Sequence, residues 1–160
     1  MNDNEKLLTR FYDAFRASNF REMQKCYHKD IEYNDPFFRI SGKRAQAMWH
    51  MLLEKKGNPN TKNFKNVKAN DSKGSVSWDA RYIFSITKKF IHNEVEAEFI
   101  FKDGKIISHK DSFNMYSWCK MAFGYVGIIF GWSFYFQIKL KRMANKRLDS
   151  FIKRHPQYKE

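Results

Sequence analysis

The sequence is poor in the residues that hold small domains together through covalent or metal links. It has two cysteines, Cys26 and Cys119, in 160 residues. No pair of His, Cys or carboxylate residues combines ligand spacing with a partner elsewhere, so we expect no metal site and no cofactor. A chain of this length can form one domain with a sufficient hydrophobic core and needs no disulfide or metal link. So few cysteines indicate reduced, buried thiols in a cytoplasmic protein.

The chain also lacks a recognisable signal peptide and a full-length apolar run. Residues 1–5 are polar and acidic, with no apolar stretch after them. The longest uncharged run, residues 121–138, contains Gly124, Gly127 and Gly131. A spanning helix needs about 20 predominantly apolar residues. A lid, an oligomer contact or a peripheral membrane contact is therefore favoured over a membrane span, and the sequence leaves all these alternatives open.

Acidic residues are scarce compared with basic ones, and the formal net charge is +13. Residues 1–35 are nearly neutral, whereas residues 136–160 carry eight Lys/Arg against two Asp/Glu. Nucleic acids and anionic membranes attract such a surface. No helix-turn-helix, RNA-recognition signature or zinc-finger spacing accompanies the charge, so we do not expect nucleic-acid binding. Contact with a membrane remains open.

Hydrophobic spacing predicts three helices followed by a sheet. Apolar residues recur at helical intervals over residues 7–15, 20–27 and 45–53, and a short strand stops at Asp35, before Pro36. Residues 55–63 are polar and predict a loop. A period of two then predicts strands over residues 64–70, 75–87, 90–102 and 105–115, joined by short turns as an antiparallel meander. The chain ends in the glycine-containing apolar run and a basic amphipathic helix that reaches residue 155.

The stretch that carries the clearest chemical signal is residues 103–114, DGKIISHKDSFN. Asp103-Gly104 is typical of a tight hairpin turn, and the alternation after it places His109 and Asp111 on one face of a strand. Sixteen Phe, eight Tyr and four Trp indicate either a large aromatic core or a cavity with aromatic walls. In such a cavity burial raises carboxylate pKa values and allows proton transfer near neutral pH. A purely structural histidine and aspartate remain the alternative.

The order of these motifs resembles the nuclear transport factor 2-like superfamily, and within it the SnoaL-like and ketosteroid-isomerase-like branch. The similar segments are residues 11–15, 27–36 (YHKDIEYNDP), 42–49 (GKRAQAMW) and 101–114. The resemblance implies an α+β fold in which a cone-shaped, curved antiparallel sheet surrounds a long N-terminal helix. It also implies a deep pocket and frequent homodimers. We assign residues 1–116 to this cone domain and residues 117–160 to a C-terminal helical extension packed on it.

The resemblance also implies roles for individual residues. Asp35 matches the proton-transferring base of ketosteroid isomerases, but Phe11 and Ala97 stand where their oxyanion-stabilising tyrosine and protonated aspartate would be. Asp111 matches the acid of limonene-epoxide-hydrolase-like members. Asp79 and Arg81 lie near the strand of the other hydrolase residues, but on the face opposite Trp78. A known reaction therefore cannot be transferred as a whole.

These observations predict a pocket protein for a small apolar molecule. The predicted catalytic residues are Asp35, His109 and Asp111, in an isomerase-, cyclase- or epoxide-hydrolase-like reaction. The alternative is a non-catalytic ligand carrier, or an association module whose C-terminal segment contacts a membrane or partner. The predicted ligand-contacting residues are Tyr33, Trp49, Trp78, Tyr82, Phe99, Phe113 and Trp118.

Overall fold

The computed structural model describes residues 1–54 and 60–160. Three helices precede most of the sheet: α1 (Asp3–Arg16), α2 (Phe20–Cys26) and α3 (Gly42–Leu53). Asn2 caps α1 through a reciprocal capping box with Glu5, and Asn19 caps α2. Each cap satisfies amide donors that a helix N-terminus leaves unpaired, so these polar residues determine where the helices begin.

The six strands form a curved, unclosed sheet with the order β2-β1-β6-β5-β4-β3. They are β1 (Tyr27–Asn34), β2 (Arg39–Ser41), β3 (Thr61–Ala69), β4 (Lys73–Ile83), β5 (Phe90–Lys102) and β6 (Lys105–Ser112). The turn between β5 and β6 has positive φ at Asp103 (52°) and Gly104 (69°). Two consecutive positive φ values are those of the predicted tight hairpin. The predicted α+β fold is confirmed.

The sheet differs from the sequence prediction at two places. β1 pairs with β6 in parallel, with Tyr33 beside His109, so the sheet is not antiparallel throughout. A parallel pair joins strands that are remote in sequence, and no turn signal predicts it. The predicted loop over residues 55–63 is also too long, because β3 begins at Thr61. Residues 55–59 of that predicted loop lie outside the described residues.

The C-terminal extension contains α4 (Met115–Phe123), α5 (Tyr125–Phe130) and α6 (Phe134–Arg154), followed by a 3₁₀ turn, Pro156–Tyr158. Leu148, Phe151 and Tyr158 are buried in the same core cluster as residues of α1 and α3. An ion pair of 2.7 Å between Arg44 and Asp149 also joins α3 to α6. The extension therefore shares its hydrophobic core with the cone domain.

Helix α5 packs very closely on α4. A Cβ atom at Gly127 would lie 2.0 Å from the carbonyl oxygen of Cys119, and one at Gly131 would lie 2.3 Å from the carbonyl oxygen of Gly127. The hydroxyl of Tyr116 donates to the carbonyl of Ile128 at 3.0 Å. The glycines that interrupt the apolar run thus permit a compact helical corner. Within the described parts of the chain, no helix has both the length and the apolar character needed to cross a bilayer.

Candidate active site

The concave face of the sheet, α3 and α6 enclose a cavity of about 250 Å³. Its polar groups are few, and two of them are the carboxyl groups of Asp35 and Asp111. Most of the remaining wall is aromatic or aliphatic, including Leu140, Met143 and Ala144 of α6. An enclosed, largely apolar space with a few converging polar groups is the usual form of a small-molecule site. The extension supplies one wall of this space.

Asp35 follows the last residue of β1 and is held by its own turn. Its Oδ1 accepts the backbone N–H groups of Phe37 and Phe38, both at 2.7 Å. Pro36 breaks the strand and directs the chain into this turn. Burial raises the pKa of Asp35 to about 6, and the charge of Asp111 acts in the same direction, whereas the hydrogen bonds that Asp35 accepts act against them. The carboxyl group therefore changes protonation state close to neutral pH.

The Tyr33 hydroxyl connects the two acids. It lies 2.8 Å from Oδ2 of Asp35 and 3.0 Å from Oδ2 of Asp111. Burial, and then the nearby charges of Asp111 and Asp35, raise the pKa of Tyr33 well above its ordinary value. Tyr33 therefore stays protonated and has one hydrogen for two acceptors. Both contacts are satisfied together only when one acid carries a proton, which it donates to the phenol oxygen.

His109 lies behind Asp111, at the end of a directional chain of hydrogen bonds. Trp49 Nε1 donates to the Tyr27 hydroxyl at 2.8 Å, and that hydroxyl is 2.7 Å from His109 Nδ1. An indole nitrogen only donates, so the Tyr27 hydroxyl accepts from Trp49 and its own hydrogen is available to Nδ1. His109 Nε2 then carries a hydrogen and donates to Asp111 Oδ1 at 2.9 Å. This chain links α3 through β1 and His109 to Asp111.

Asp111 receives further donors from the cavity wall. Trp78 Nε1 donates to Oδ1 at 3.2 Å, in addition to His109 and Tyr33. Asp111 and His109 are both fully buried, with 2% and 1% of their surface exposed. A buried carboxyl group needs hydrogen-bond partners, and Asp111 has three within the protein. The structure thus brings Asp35, His109 and Asp111 into one network, with Asp35 facing the cavity directly and His109 acting through Asp111.

Six of the seven predicted ligand-contacting residues line the cavity, and Phe99 does not. The Phe99 ring lies 4.4 Å from the His109 ring and packs edge-on to Tyr12. It points into the core beneath His109, where it supports that ring from behind. The six residues that line the cavity are Tyr33, Trp49, Trp78, Tyr82, Phe113 and Trp118.

Tyr82 has a feature that the sequence pattern does not reveal. Its hydroxyl oxygen accepts the Trp118 Nε1 hydrogen at 3.0 Å. Trp118 is the only polar partner of this hydroxyl among the described residues, and the contact leaves the hydroxyl hydrogen available toward the cavity. Burial raises the pKa of Tyr82, the hydrogen bond from Trp118 acts against it, and the charge of Asp35, which lines the same cavity, adds to the rise. The sequence predicted Tyr82 only as an aromatic residue of the cavity wall. The orientation of its hydroxyl depends on Trp118, which is 36 positions away in the sequence.

Three positions that the sequence resemblance singled out, Phe11, Ala97 and Asp79, carry no catalytic group at the cavity. Phe11 is fully buried beside His109, with ring centroids 5.6 Å apart. Ala97 pairs directly with Asp111 across the sheet. Asp79 lies on the other side of β4, where it meets His92 at 3.1 Å and Arg81 at 3.8 Å. Neither the isomerase donors nor the hydrolase Asp-Arg pair is therefore present at the cavity.

Two cationic residues, Lys62 and Arg147, line the cavity. Lys62 is buried, with its Nζ 2.7 Å from the Ser18 hydroxyl and 5.4 Å from the centre of the Phe15 ring. Burial lowers the pKa of Lys62. No described carboxylate forms an ion pair with it, and residues 55–59 contain no acid in their sequence. The cavity wall holds no group of three candidate metal ligands among the described residues.

Comparison with solved structures supports the fold. An LEH-like epoxide hydrolase from Mycobacterium tuberculosis matches with a TM-score of 0.63 and 18% identity, over 79% of this chain and 95% of the other. An NTF2-like protein of unknown function from Burkholderia pseudomallei matches with a TM-score of 0.64 and 10% identity, over 78% and 100%. A protein assigned as a polyketide cyclase from Silicibacter sp. matches with a TM-score of 0.61 and 15% identity, over 72% and 92%.

At these identities the solved structures establish the fold alone. The curated proteins include no match to this chain. The sequence resemblance to the SnoaL-like branch is confirmed by a family model, the SnoaL-like domain, which matches residues 8–109. Because the match covers well over half of the chain and includes β1, α3 and most of the sheet, the protein belongs to the SnoaL-like domain family.

Proposed function

We propose that the protein binds a small apolar carbonyl compound in the cavity and catalyses proton transfer at the carbon next to the carbonyl. Asp35 is the base, and Tyr82 donates a hydrogen bond to the carbonyl oxygen as negative charge develops on it. The observation that carries the proposal is the Tyr33 hydroxyl, which lies within 3.0 Å of both Asp35 and Asp111 at the cavity wall.

The raised pKa of Asp35 suits this role. A base is most effective when its pKa lies near the working pH, and a value of about 6 leaves Asp35 largely ionised at pH 7 yet able to hold a proton. The protonated Asp35 is stabilised because its hydrogen is donated to the Tyr33 oxygen while Tyr33 donates to Asp111. The network thus accommodates the transferred proton without movement of the backbone.

Tyr82 would take the place of the oxyanion-stabilising tyrosine and aspartate of ketosteroid isomerases, whose positions are occupied here by Phe11 and Ala97. A base that creates an enolate needs a donor for the new charge, and this electrostatic contribution is usually large. Tyr82 lies on β4 at the cavity wall, and Trp118 of α4 fixes its oxygen at 3.0 Å. Because α4 belongs to the extension, residues beyond residue 116 take part in the proposed site.

Deuterium exchange tests the proposal without knowledge of the natural substrate. The probe is 2-tetralone, an aromatic ketone with exchangeable protons next to the carbonyl, followed by proton NMR in D₂O. Wild-type protein is expected to accelerate the exchange, with a rate that rises as the pH passes through about 6. Asp35→Asn keeps the shape and the turn but removes the base, so it is expected to abolish the acceleration.

The alternative of a ligand carrier predicts a different outcome of the same experiment. A carrier binds 2-tetralone, as detected by quenching of tryptophan fluorescence, with no acceleration of exchange in wild type or variant. Self-association through the outer face of the sheet, which the family resemblance implies, stays a prediction that sedimentation equilibrium can check.

We also propose that the corner formed by residues 125–135 docks on an anionic membrane surface. We call this stretch the apolar segment. Its large side chains are 49–85% exposed, and they are Tyr125, Val126, Ile128, Ile129, Phe130, Trp132, Phe134 and Tyr135. Exposed apolar patches of this kind mark interaction sites, and Trp and Tyr are favoured at the level of lipid headgroups.

The charge beside the apolar segment favours an anionic lipid surface over a second copy of the chain. An open groove of about 900 Å³ runs along α6, and its basic residues are Lys139, Arg142, Lys146, Arg147 and Arg154. The acid Asp149 of α6 is already paired with Arg44. Two copies that met through this surface would bring like charges together, whereas anionic headgroups would neutralise them.

Vesicle sedimentation tests this docking. The full chain is expected to pellet with vesicles that contain phosphatidylserine, less with neutral phosphatidylcholine, and less again as salt is raised. Equal binding to both lipids would contradict the electrostatic part of the proposal. A concentration-dependent dimer that no longer binds vesicles would instead show that a second copy covers the apolar segment.

A further inference from the structure

The C-terminal tail meets α3 at a cluster of titratable residues that lies outside the cavity chemistry. His50 is in the last turn of α3, Glu54 caps that helix, and His155 caps α6. One candidate ligand atom from each residue lies within 4.8 Å of the other two. His50 Nε2 is 3.7 Å from Glu54 Oε1. Two imidazoles and one carboxylate therefore face a common point.

The ring of His155 is oriented by its neighbours. Its Nδ1 lies 2.9 Å from the carbonyl oxygen of Phe151, and its ring stacks on the Phe151 ring at 3.9 Å. A carbonyl oxygen only accepts, so Nδ1 carries a hydrogen and the lone pair of the neutral ring is on Nε2. Metal-binding histidines usually donate their second N–H in this way, which fixes the ligating nitrogen.

His50 has an equivalent arrangement. Its Nδ1 lies 2.9 Å from the Tyr158 hydroxyl, which also accepts the Gln24 Nε2 hydrogen at 2.9 Å. Phe20 stacks on the imidazole with the ring centres 3.8 Å apart. A tyrosine hydroxyl has two lone pairs, so Tyr158 can accept hydrogens from both Gln24 and His50 Nδ1. In that tautomer of His50, the lone pair of the ring is on Nε2, on the side of Glu54. Each histidine therefore has a hydrogen-bond partner on one nitrogen and a stacked phenylalanine.

We propose that His50, Glu54 and His155 form a binding site for a divalent transition-metal ion, with zinc as the best match. Zinc prefers imidazole nitrogen and carboxylate oxygen at about 2.0–2.2 Å, and three protein ligands leave a further position for water. The Glu54 side chain is 54% exposed and free to rotate toward the two histidines. Rotation of the Glu54 side chain can bring its carboxylate onto an ion held between the two imidazoles.

A metal ion at this place joins two walls of the cavity. α3 contributes Met51 and Leu53 to the cavity, and α6 contributes Leu140 and Met143. The ion links the end of α3 to the residue that follows α6, so it fastens the extension over the cavity. This role is structural and does not depend on whether the cavity performs proton transfer.

Titration of the metal-free, full-length protein with zinc chloride tests the site. Calorimetry is expected to show one ion per chain, and zinc at about 100 times its Kd is expected to raise the Tm by about 5–10 °C. Cobalt chloride provides an independent readout, because cobalt bound by nitrogen and oxygen ligands in a tetrahedral site absorbs visible light strongly.

Two variants and one control separate this site from unspecific binding. Glu54→Gln preserves the size of an exposed side chain but removes its charge, and His155→Ala removes one nitrogen ligand. Each is expected to weaken zinc binding at least tenfold. His92→Ala removes a histidine on the outer sheet face and is expected to bind zinc like the wild type.

Absence of zinc binding by the wild type at micromolar concentrations would overturn the proposal. So would equal zinc affinities of wild type and Glu54→Gln, since that exposed substitution leaves the fold intact. If His155→Ala fails to fold, as judged by circular dichroism, the Glu54→Gln result decides alone.

Discussion

The cavity and the apolar segment are both rich in aromatic residues, but these residues are buried and hydrogen-bonded in the cavity and exposed in the apolar segment. In the cavity network the polar atoms of Tyr27, Tyr33, Trp49 and Trp78 all have hydrogen-bond partners within the protein. In the apolar segment Tyr125, Trp132 and Tyr135 are at least 70% exposed. The aromatic residues of the cavity therefore form the walls and hydrogen bonds of a site. Those of the apolar segment leave their surface available to another molecule.

This contrast separates two kinds of evidence. Around the cavity, a substitution disturbs hydrogen bonds that the fold itself makes, so its effects appear in chemistry and in stability. On the apolar segment, replacing a largely exposed side chain such as Trp132 or Tyr135 removes area that makes few contacts within the chain, so the main effect appears in binding. Each prediction below tests one side of this division.

The largest effect is expected from Tyr82→Phe. The substitution removes the proposed oxyanion donor and leaves the ring in the wall, so the rate of 2-tetralone exchange should fall about 10²–10³-fold. The midpoint of the pH profile near 6 should stay in place, because Asp35 is unchanged. Tyr116→Phe, at a tyrosine that bonds to Ile128 away from the cavity, is the control. A rate unchanged from wild type would show that the cavity uses another donor.

The next largest effect is expected on membrane binding. The double substitution Trp132→Ser and Tyr135→Ser should weaken binding to phosphatidylserine vesicles about 10- to 100-fold, because two exposed aromatic rings no longer enter the interface. Thermal stability should be nearly unchanged, since both side chains are largely exposed. Phe90→Ser, at an exposed phenylalanine outside the apolar segment, is the matched control. If Phe90→Ser weakened vesicle binding as much as the double substitution does, the apolar segment would not be the membrane-binding surface.

Asp35→Asn is expected to change stability in a pH-dependent manner. The folded state raises the pKa of Asp35 from 3.8 to about 6, so it binds the proton more tightly than the unfolded chain does. This contribution to stability is complete below about pH 4 and is lost as the pH rises through 6. Relative to wild type, the variant should therefore gain about 2–3 kcal/mol between pH 4 and pH 8. Urea unfolding at both pH values measures the change, and a pH-independent difference would contradict the raised pKa.

The smallest effect is expected from Tyr12→Phe. The buried Tyr12 hydroxyl has no hydrogen-bond partner within the part of the chain that is described. Removing it should stabilise the fold by about 1 kcal/mol, as measured by urea unfolding. Tyr27→Phe is the informative counterpart, because its hydroxyl serves both Trp49 and His109, and its loss should destabilise the fold. The opposite pair of signs would mean that the network contributes little to stability.

Much of the fold could be predicted because local signals agree with it. The Asp103-Gly104 turn starts β6, and the alternation along β6 places His109 and Asp111 on one buried face. The break before Pro36 places Asp35 at the end of β1. These features depend on a few neighbouring residues, which a single sequence displays. A bulge between Ile100 and Phe101 of β5 shifts the register that the turn begins, and no local signal predicts it.

The remaining features depend on contacts between residues that are distant in the chain. The parallel pairing of β1 with β6 places Tyr33 beside His109, and only this pairing allows Tyr33 to connect the two acids. The donors Trp49 and Trp78 come from α3 and β4. Likewise, His50 and His155 are 105 positions apart, although the four-residue spacing of His50 and Glu54 was visible. Spacing alone could not identify the third member of that cluster.

The close approach of α5 to α4 has a consequence for the apolar segment. With Gly127 against the backbone of α4, and Gly131 against the carbonyl of Gly127 and the side chain of Cys119, the corner has little room to rearrange. Its exposed rings are therefore displayed in one arrangement before any partner arrives. Docking then costs little conformational entropy in the backbone. A larger side chain at Gly127 would disturb the packing of α5 on α4 and so weaken membrane binding, although no exposed aromatic residue is removed.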